Sequence, residues 1–453
     1  MTAIPVIITK LLRLCGLLFG RGSSLPGKVA LQLFPHVLSR IAPPRTVIAV
    51  TGSNGKTTTT EMITFTLRRL GLNAVSNSKG SNQTEGIATA VLCACGTAGK
   101  VRADCLVLEV DERYAADIFS RITPNILIIT NLYRDQLTRN GDPFFVRDRL
   151  KNAVQLLPSD TTILLNADEP IGRTAAVGHK NVRYFGLRSD VMSQTHTDAV
   201  YEDCVCCPVC GKTLNYSSYH YSQLGAYRCD ACGFSSPPAD YIVSDIADGG
   251  KEVTVNEQKI HSAFTGKFQA YNIAAAFAAC REAGEDEYKT ADALSCFVSQ
   301  SGRQTDFGFA GKRGTLLISK HENSTAYDLN LEYAAATGEP TGVMLIIDRI
   351  SRKYFSSDTG WLWDINFGIL NSLNIKNIYI GGKYAYDAAV CVKTAVQNKT
   401  AIRTDCDISS LLKSAAVGEE NRLIVLTCFA DAQKVSEELK KWKKEHSVIS
   451  FRS

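Results

Sequence analysis

The sequence predicts an α/β protein: a doubly wound domain built on a phosphate-binding loop, interrupted by a four-cysteine insertion and followed by a smaller α/β domain. Three observations carry that prediction. Short apolar runs, Cys105 to Val110, Ile126 to Thr130 and Thr162 to Leu165, alternate with longer polar stretches, as expected of strands covered on both faces. The β-branched run Thr46 to Val50 enters a glycine turn and leaves through Lys56 into a row of threonines. Two C-x-x-C pairs, Cys207 with Cys210 and Cys229 with Cys232, stand eighteen residues apart.

The chain has 453 residues, a length that accommodates about three domains. Residues 1–44 read as an N-terminal helical segment. Ile7, Ile8, Leu11, Leu12, Leu17 and Leu18 are broken by Lys10 and Arg13, so the first twenty residues are too short and too charged to span a bilayer. As an amphipathic helix they are expected to pack against the body of the protein, with peripheral contact to a membrane surface as the alternative. Residues 45–310 read as the nucleotide-binding domain, with the insertion at about 200–240. Residues 311–453 read as a second α/β domain with TLLIS, VMLIID, NIYIG and LIVLT as successive apolar runs. The turn-rich stretch FGFAGKRG at 307–314 marks the boundary.

Within T-G-S-N-G-K-T-T-T, Gly52, Ser53, Asn54 and Gly55 make a turn whose backbone amides can converge on phosphate oxygens. The helix opened by Lys56, Thr57 and Thr58 adds its positive N-terminal end. The loop is shorter than the general G-x-x-x-x-G-K-[ST] form, which needs glycine where Val50 stands. A triphosphate is the expected ligand. Glu109-Val-Asp111-Glu112 follows the next long strand, so its acids emerge at the carboxyl end of the sheet, where open α/β folds bind ligands. One carboxylate there can hold magnesium, and Glu112 reads as part of a solvated turn.

Four thiolates at the ribbon spacing satisfy a tetrahedral zinc ion, and the glycine after each pair gives the tight turn in which amides point at sulfur. Cys204 with Cys207 offers a competing register, but the proline and glycine context favours Cys207 with Cys210. A closed four-sulfur site stabilises the insertion and takes no part in chemistry. Between residues 203 and 234 only Lys212 and Arg228 are basic, so no nucleic-acid partner is expected. The fifteen cysteines do not make a disulfide scaffold in a chain of this size, which points to a reducing cytoplasm.

The loop T-G-S-N-G-K-T-T-T resembles that of the Mur ligases, ATP-dependent enzymes of peptidoglycan synthesis, and of their folylpolyglutamate synthase relatives. Asn131-Leu-Tyr-Arg-Asp135-Gln136-Leu, with glutamine where most relatives carry histidine, is similar to the MurT-type branch. So are the ribbon halves Cys207 to Gly211 and Cys229 to Phe234, Leu25-Pro-Gly-Lys28, and Asp358-Thr-Gly-Trp-Leu-Trp-Asp364. The resemblance covers essentially the whole chain. It implies a Mur-ligase central domain, ATP and magnesium as cofactors, and zinc in the ribbon. Lys56 and Glu109 would be catalytic, with Thr57 and Glu109 on magnesium, Asn272 near the adenine and Arg303 reaching the phosphates.

MurT-type proteins are the ATP-using subunit of lipid II isoglutaminyl synthase, which amidates the D-glutamate α-carboxylate of the lipid II stem peptide through an acyl phosphate. The ammonia comes from a GatD-type glutaminase partner docked on the last domain. Such a glutaminase needs a cysteine on a glycine-flanked elbow with a histidine nearby, and this chain has no cysteine of that kind. In the family the ligase lends an aspartate to the partner's triad. Asp358 is the choice here, with Asp364 and Asp348 behind it and a plain helix cap as the competing reading for Asp358.

The sequence departs from the family pattern at Thr138, Asn140, Thr305, the Lys320-His-Glu-Asn segment and Thr427-Cys-Phe-Ala. These departures leave ATP binding intact but bear on nucleotide placement and partner docking. Two alternatives therefore stand beside the amidotransferase reading. One is a stand-alone amino-acid ligase of Mur or folylpolyglutamate type. The other is a diverged, non-catalytic nucleotide-binding paralogue.

Overall fold

A computed structural model of the chain describes residues 2–18, 23–77, 80–197, 199–262, 267–298, 304–350, 358–398 and 400–446. They fall into two compact units, one drawn from 1–133, 142–197 and 202–299, the other from 134–141, 198–201 and 300–453.

The first unit is built on a nine-stranded sheet. In chain order its strands and those of the insertion are β1 (Thr46–Thr51), β2 (Ala74–Ser76), β3 (Cys105–Glu109), β4 (Ile126–Ile129), β5 (Thr162–Asn166), β6 (Val182–Leu187), β7 (Asn215–Tyr221), β8 (Leu224–Arg228), β9 (Tyr241–Ala247), β10 (Glu252–Val255) and β11 (Gln258–His261). The spatial order is β11-β10-β9-β6-β5-β4-β1-β3-β2, with β7 and β8 forming a separate hairpin. Pairing is parallel from β2 through β9 and antiparallel across β9, β10 and β11. From β1 the chain runs outward to β2, returns to β3 beside β1, and then crosses to β4 on the other side of β1, so the connections reverse direction between β1 and β4, the topological switch point where ligands bind in open α/β sheets.

Val47 through Val50 are buried, as are all residues of β3 and β4, because helices cover both faces of the sheet. On one face lie the helix Lys56–Arg69 and the alanine-rich helix Lys267–Glu282. Ala270, Ala274, Ala275, Ala276, Ala278 and Ala279 are all buried in the cluster that also holds Met62, Ile63 and Leu67. Side chains this small let a helix be enclosed on every side without pushing its neighbours away.

The N-terminal segment forms the helices Ala3–Leu18 and Leu25–Leu33. Gly27 permits a close crossing: a Cβ there would stand 2.7 Å from the Thr89 amide nitrogen, and the Gly27 N–H donates to Thr89 Oγ1 at 2.8 Å. The first helix buries Val6 and Thr9 on one side and exposes Ile4, Ile7, Leu11 and Leu14 on the other. No described helix is long and apolar enough to cross a membrane.

The second unit carries a six-stranded sheet of β12 (Gln304–Phe309), β13 (Lys312–Ser319), β14 (Thr341–Ile346), β15 (Ile375–Gly381), β16 (Ala401–Asp405) and β17 (Arg422–Cys428). Their order is β12-β13-β17-β14-β15-β16, antiparallel only between β12 and β13. The doubly wound domain, the smaller α/β domain and the four-cysteine insertion expected from the sequence are all present.

Candidate active site

β1 ends at Thr51, and the turn that follows has Gly52 at φ 120° and Gly55 at φ 84°, backbone that glycine adopts without strain. A Cβ at Gly52 would strike Thr130 and Asn131, and one at Gly55 would strike the Asn272 amide oxygen. The helix Lys56–Arg69 opens from Gly55 without any side-chain cap. First-turn amides of such a helix are donors awaiting partners, and an anion supplies them.

The turn is clamped by the segment after β4. Ser53 N–H donates to the Asn131 carbonyl at 2.8 Å, and Asn54 N–H donates to Asn131 Oδ1 at 2.9 Å. Thr130 Oγ1 donates to the Asn54 carbonyl at 2.6 Å. Ser53 Oγ accepts from Tyr133 N–H at 3.0 Å and donates to the Tyr133 carbonyl at 3.1 Å. Two of the amides expected to converge on phosphate, those of Ser53 and Asn54, are thus spent on holding the loop. The first-turn amides of the helix, at Thr57 and Thr58, are the donors that helix geometry offers to an anion.

Lys56 is buried and folds back into its own loop. Its Nζ donates to the Gly52 carbonyl and, at 3.3 Å, to the Ser53 carbonyl. It also forms an ion pair with Glu112 Oε1 at 2.5 Å. The solvated turn expected for Glu112 is therefore corrected: its carboxylate is buried because Lys56 supplies the charge that burial requires. Only the folded sheet, which sets β3 beside β1 with Glu109 opposite Val50, brings Glu112 to Lys56.

Glu109 closes β3 and is buried. Asn77 grips its backbone from both sides, with Glu109 N–H donating to Asn77 Oδ1 at 2.8 Å and Asn77 Nδ2 donating to the Glu109 carbonyl at 2.9 Å. Asn82 Nδ2 donates to Glu109 Oε1 at 3.0 Å. An ionised carboxylate has about four acceptor directions, so this bond orients Glu109 without exhausting it. Asn272 stands beside Gly55, accepts from Thr59 Oγ1 at 3.4 Å and donates to Gln269 Oε1 at 3.1 Å. Arg303 lies outside the described residues.

Asp168 and Glu169 are buried supports of this region. Asp168 Oδ2 accepts from Leu187 N–H and Tyr271 O–H, each at 2.8 Å, and burial pushes its carboxyl up to about 7. Glu169 caps the short helix Pro170–Arg173 through Ile171 N–H at 2.9 Å and Gly172 N–H at 2.6 Å, and burial likewise raises it to about 7.

Within the second unit, Asp135 accepts from Lys320 Nζ at 3.0 Å and Asn323 Nδ2 at 2.9 Å. The unusual Lys320-His-Glu-Asn segment thus holds the first acid of the D-Q-L stretch. Asp364 pairs with Arg134 at 2.9 Å, and Asp348 pairs with Lys434 at 2.9 Å. Asp358 is exposed, and its Oδ1 accepts from Gly360 N–H at 2.8 Å at the start of a short helical turn. The competing cap geometry for Asp358 is accordingly present in the fold.

In the insertion, Cys207, Cys210, Cys229 and Cys232 bring their sulfurs within 4.8 Å of one another. Tetrahedral zinc with Zn–S near 2.3 Å places sulfurs about 3.8 Å apart, so the set fits that ion. Gly211 N–H bonds to the Cys207 carbonyl and Gly233 N–H to the Cys229 carbonyl, both at 2.9 Å, with φ of 71° and 76°. These are matching knuckles. Cys204 is buried outside the set, so the register is Cys207 with Cys210.

Sequence reasoning did not assign roles to Asn77, Asn82, Thr130 and Asn131. Asn131 opens the Asn131-Leu-Tyr-Arg-Asp135-Gln136-Leu motif, but nothing in its spacing from Ser53 announces a clamp.

A family model described as Mur ligase middle domain matches residues 50–228, and one described as MurT ligase C-terminal matches residues 321–431. The chain is 30% identical over 368 residues to the lipid II isoglutaminyl synthase (glutamine-hydrolyzing) subunit MurT of Streptococcus pneumoniae, spanning 80% of each chain. It is 28% identical over 381 residues to the subunit of the same name from Staphylococcus aureus, spanning 83% of each. Among solved structures, a pseudomurein peptide ligase type C from Methanothermus fervidus shares the fold with TM-score 0.68 at 22% identity, covering 87% of this chain and 78% of that one. A MurF ligase from Thermotoga maritima in complex with ADP does so with TM-score 0.60 at 15% identity, covering 93% and 84%.

Proposed function

This chain belongs to the MurT family of Mur ligases, and from that premise we propose that it amidates the D-glutamate α-carboxylate of lipid II, using ATP and ammonia delivered by a separate GatD-type glutaminase. The chain is an ATP-dependent ligase. A carboxylate is a poor acyl donor. Transfer of the γ-phosphoryl group to its oxygen makes an acyl phosphate, and attack of ammonia on the carbonyl carbon then expels inorganic phosphate as the C–N bond forms.

The observation that carries this reading is Lys56, held as a buried cation at the switch-point loop with Glu109 at the end of the adjacent strand. In the proposed complex the turn from Gly52 to Gly55 encloses the phosphates, the first-turn amides at Thr57 and Thr58 donate to them, and Lys56 exchanges its Glu112 partner for phosphate oxygens. Thr57 and Glu109 would hold magnesium, which neutralises charge on the transferring phosphoryl group. Asn272 stands beside Gly55 and is assigned to the adenine end, and Arg303 is assigned to the phosphates, both by family likeness.

The ribbon's four sulfurs would hold zinc. Asp358 would orient the histidine of the partner glutaminase, a role that suits an exposed carboxylate better than the less exposed Asp364 and Asp348. The exposed apolar stripe of the first helix suits peripheral contact with the membrane that carries the lipid substrate.

The test measures ADP release and product mass with lipid II, ATP and either ammonium or a panel of amino acids, then with glutamine plus the co-expressed glutaminase. Amidation by ammonium alone and by glutamine only with the partner is expected. Amino-acid addition without a partner would establish the stand-alone ligase instead, and absence of both ATP turnover and amidation would establish the non-catalytic paralogue. Asp358→Asn should depress glutamine-dependent amidation at least tenfold while sparing the ammonium-dependent reaction; equal loss in both would remove Asp358 from the triad.

A further inference from the structure

The insertion does more than hang from the nucleotide domain. Its hairpin, β7 with β8, has the four cysteines at its base and the residues Tyr221, Ser222 and Gln223 at its tip, with Ser222 at φ 48°. Gln223 is 1% exposed, and both ends of its amide are engaged. Nε2 donates to the Leu132 carbonyl at 3.0 Å, and Oε1 accepts from Asp203 N–H at 2.9 Å. The residue between Asn131 and Tyr133 is therefore held at its backbone carbonyl by the hairpin tip.

Asn131 and Tyr133 are the residues that clamp Ser53 and Asn54 of the phosphate loop. The Tyr221 ring lies 6.3 Å from that of Tyr133 and 6.0 Å from that of Tyr271. Tyr271 immediately precedes Asn272, which fills the space beside Gly55. The hairpin tip thus packs beside both segments that border the loop, at Tyr133 and at Tyr271, the neighbour of Asn272.

We propose that Tyr221 and Gln223 are positioning residues for the phosphate loop, so that an ordered ribbon sets the affinity for nucleotide. An isolated two-stranded hairpin is marginal in water, and the four sulfurs close this one at its base. Loss of the metal would free the tip, and with it Leu132, Asn131 and the loop. A buried glutamine with both amide ends bonded is a feature that an insertion with no bearing on its host would not need. This inference rests on the nucleotide-binding reading above.

The experiment measures the dissociation constant of magnesium–ATP by calorimetry for the full-length protein, for Gln223→Ala and for the isosteric Gln223→Glu, each before and after chelation, with metal content determined in parallel. Wild type is expected to bind. Each substitution should weaken binding about fivefold to thirtyfold, the size of one lost buried hydrogen bond, with metal content unchanged. Chelated wild type should weaken comparably, and chelation of Gln223→Ala should add less than about twofold, because both changes cut one linkage. Faster amide exchange at Ser53 and Asn54 in either variant reports the same loosening should one of them fold poorly. If wild type binds and both variants bind within twofold of it, or if chelation and substitution add fully, the inference is overturned and the nucleotide reading stands. If wild type does not bind, the nucleotide reading itself falls.

Discussion

The phosphate loop and the four-cysteine ribbon are both short glycine-bearing turns, yet they are held in opposite ways. The ribbon is held from within: each knuckle closes on itself through a bond four residues long, and the four sulfurs sit within 4.8 Å of one another. The loop is held from outside, by Thr130, Asn131 and Tyr133 about eighty residues along the chain and by Asn272 more than two hundred residues away. A turn built from its own neighbours carries its geometry into any host. A turn clamped by distant residues has its geometry only when the whole sheet has formed, and so can respond to what happens elsewhere in the unit.

That contrast can be broken in several places. The largest effect is expected from Lys56→Ala, which should lower ATP turnover at least a hundredfold, the scale for removing an electrostatic partner of a reacting phosphoryl group. Amide-exchange protection across 207–232 should stay as in wild type; a variant keeping more than a tenth of the turnover would take Lys56 out of the chemistry. Stripping the metal, or Cys210→Ser, should next erase protection in the knuckles while β1, β3 and β4 keep theirs. Knuckles that stayed protected without metal would show the ribbon to be held by its host after all.

Asn131→Ala should cost about 1–3 kcal/mol of stability, since it leaves the Asn54 amide without its side-chain acceptor. It should also weaken nucleotide binding and leave metal content alone. A neutral result in thermal unfolding would mean that the loop keeps its shape unaided.

The smallest effect concerns the buried seam beside the hairpin. Asp168 is pushed up to about 7 by burial. Below the ordinary carboxylate range, near 4, folded and unfolded chains are both protonated there. Between about 4 and 7 the folded state keeps a proton that the unfolded chain has lost, so stability falls as pH rises through that window and levels off above it. Asp168→Asn should flatten the fall in Tm between pH 5 and pH 8 by a few degrees, with the rest of the slope left by Glu169 and Asp328, which burial shifts in the same direction. An unchanged slope would show that Asp168 is ionised throughout.

Parts of this molecule were legible residue by residue. β1, β3, β4 and β5 stood out because strands covered on both faces are apolar throughout. β2, only three residues long, and β6 and β16, whose residues are partly exposed, carry no such run and were not read as strands. The ribbon ligands were legible because zinc constrains sequence spacing as well as space. Glu112 was misread because an acid after a strand looks solvated until its cation is found, and that cation lies 56 residues away.

What the sequence by itself determined, then, is the chemistry on offer: a glycine turn with a lysine, an acid at a strand end, four sulfurs at ribbon spacing and an aspartate in a tryptophan-rich turn. Those features depend on neighbours within a few residues, whose geometry local backbone preferences decide. The tertiary structure alone decided that Lys56 is paired with Glu112, that Asn131 spends two loop amides on the clamp, and that Gln223 braces the clamp from the insertion. These depend on which strands become neighbours in the sheet, and strand order is set by burial summed over the whole unit, which no short stretch of residues contains.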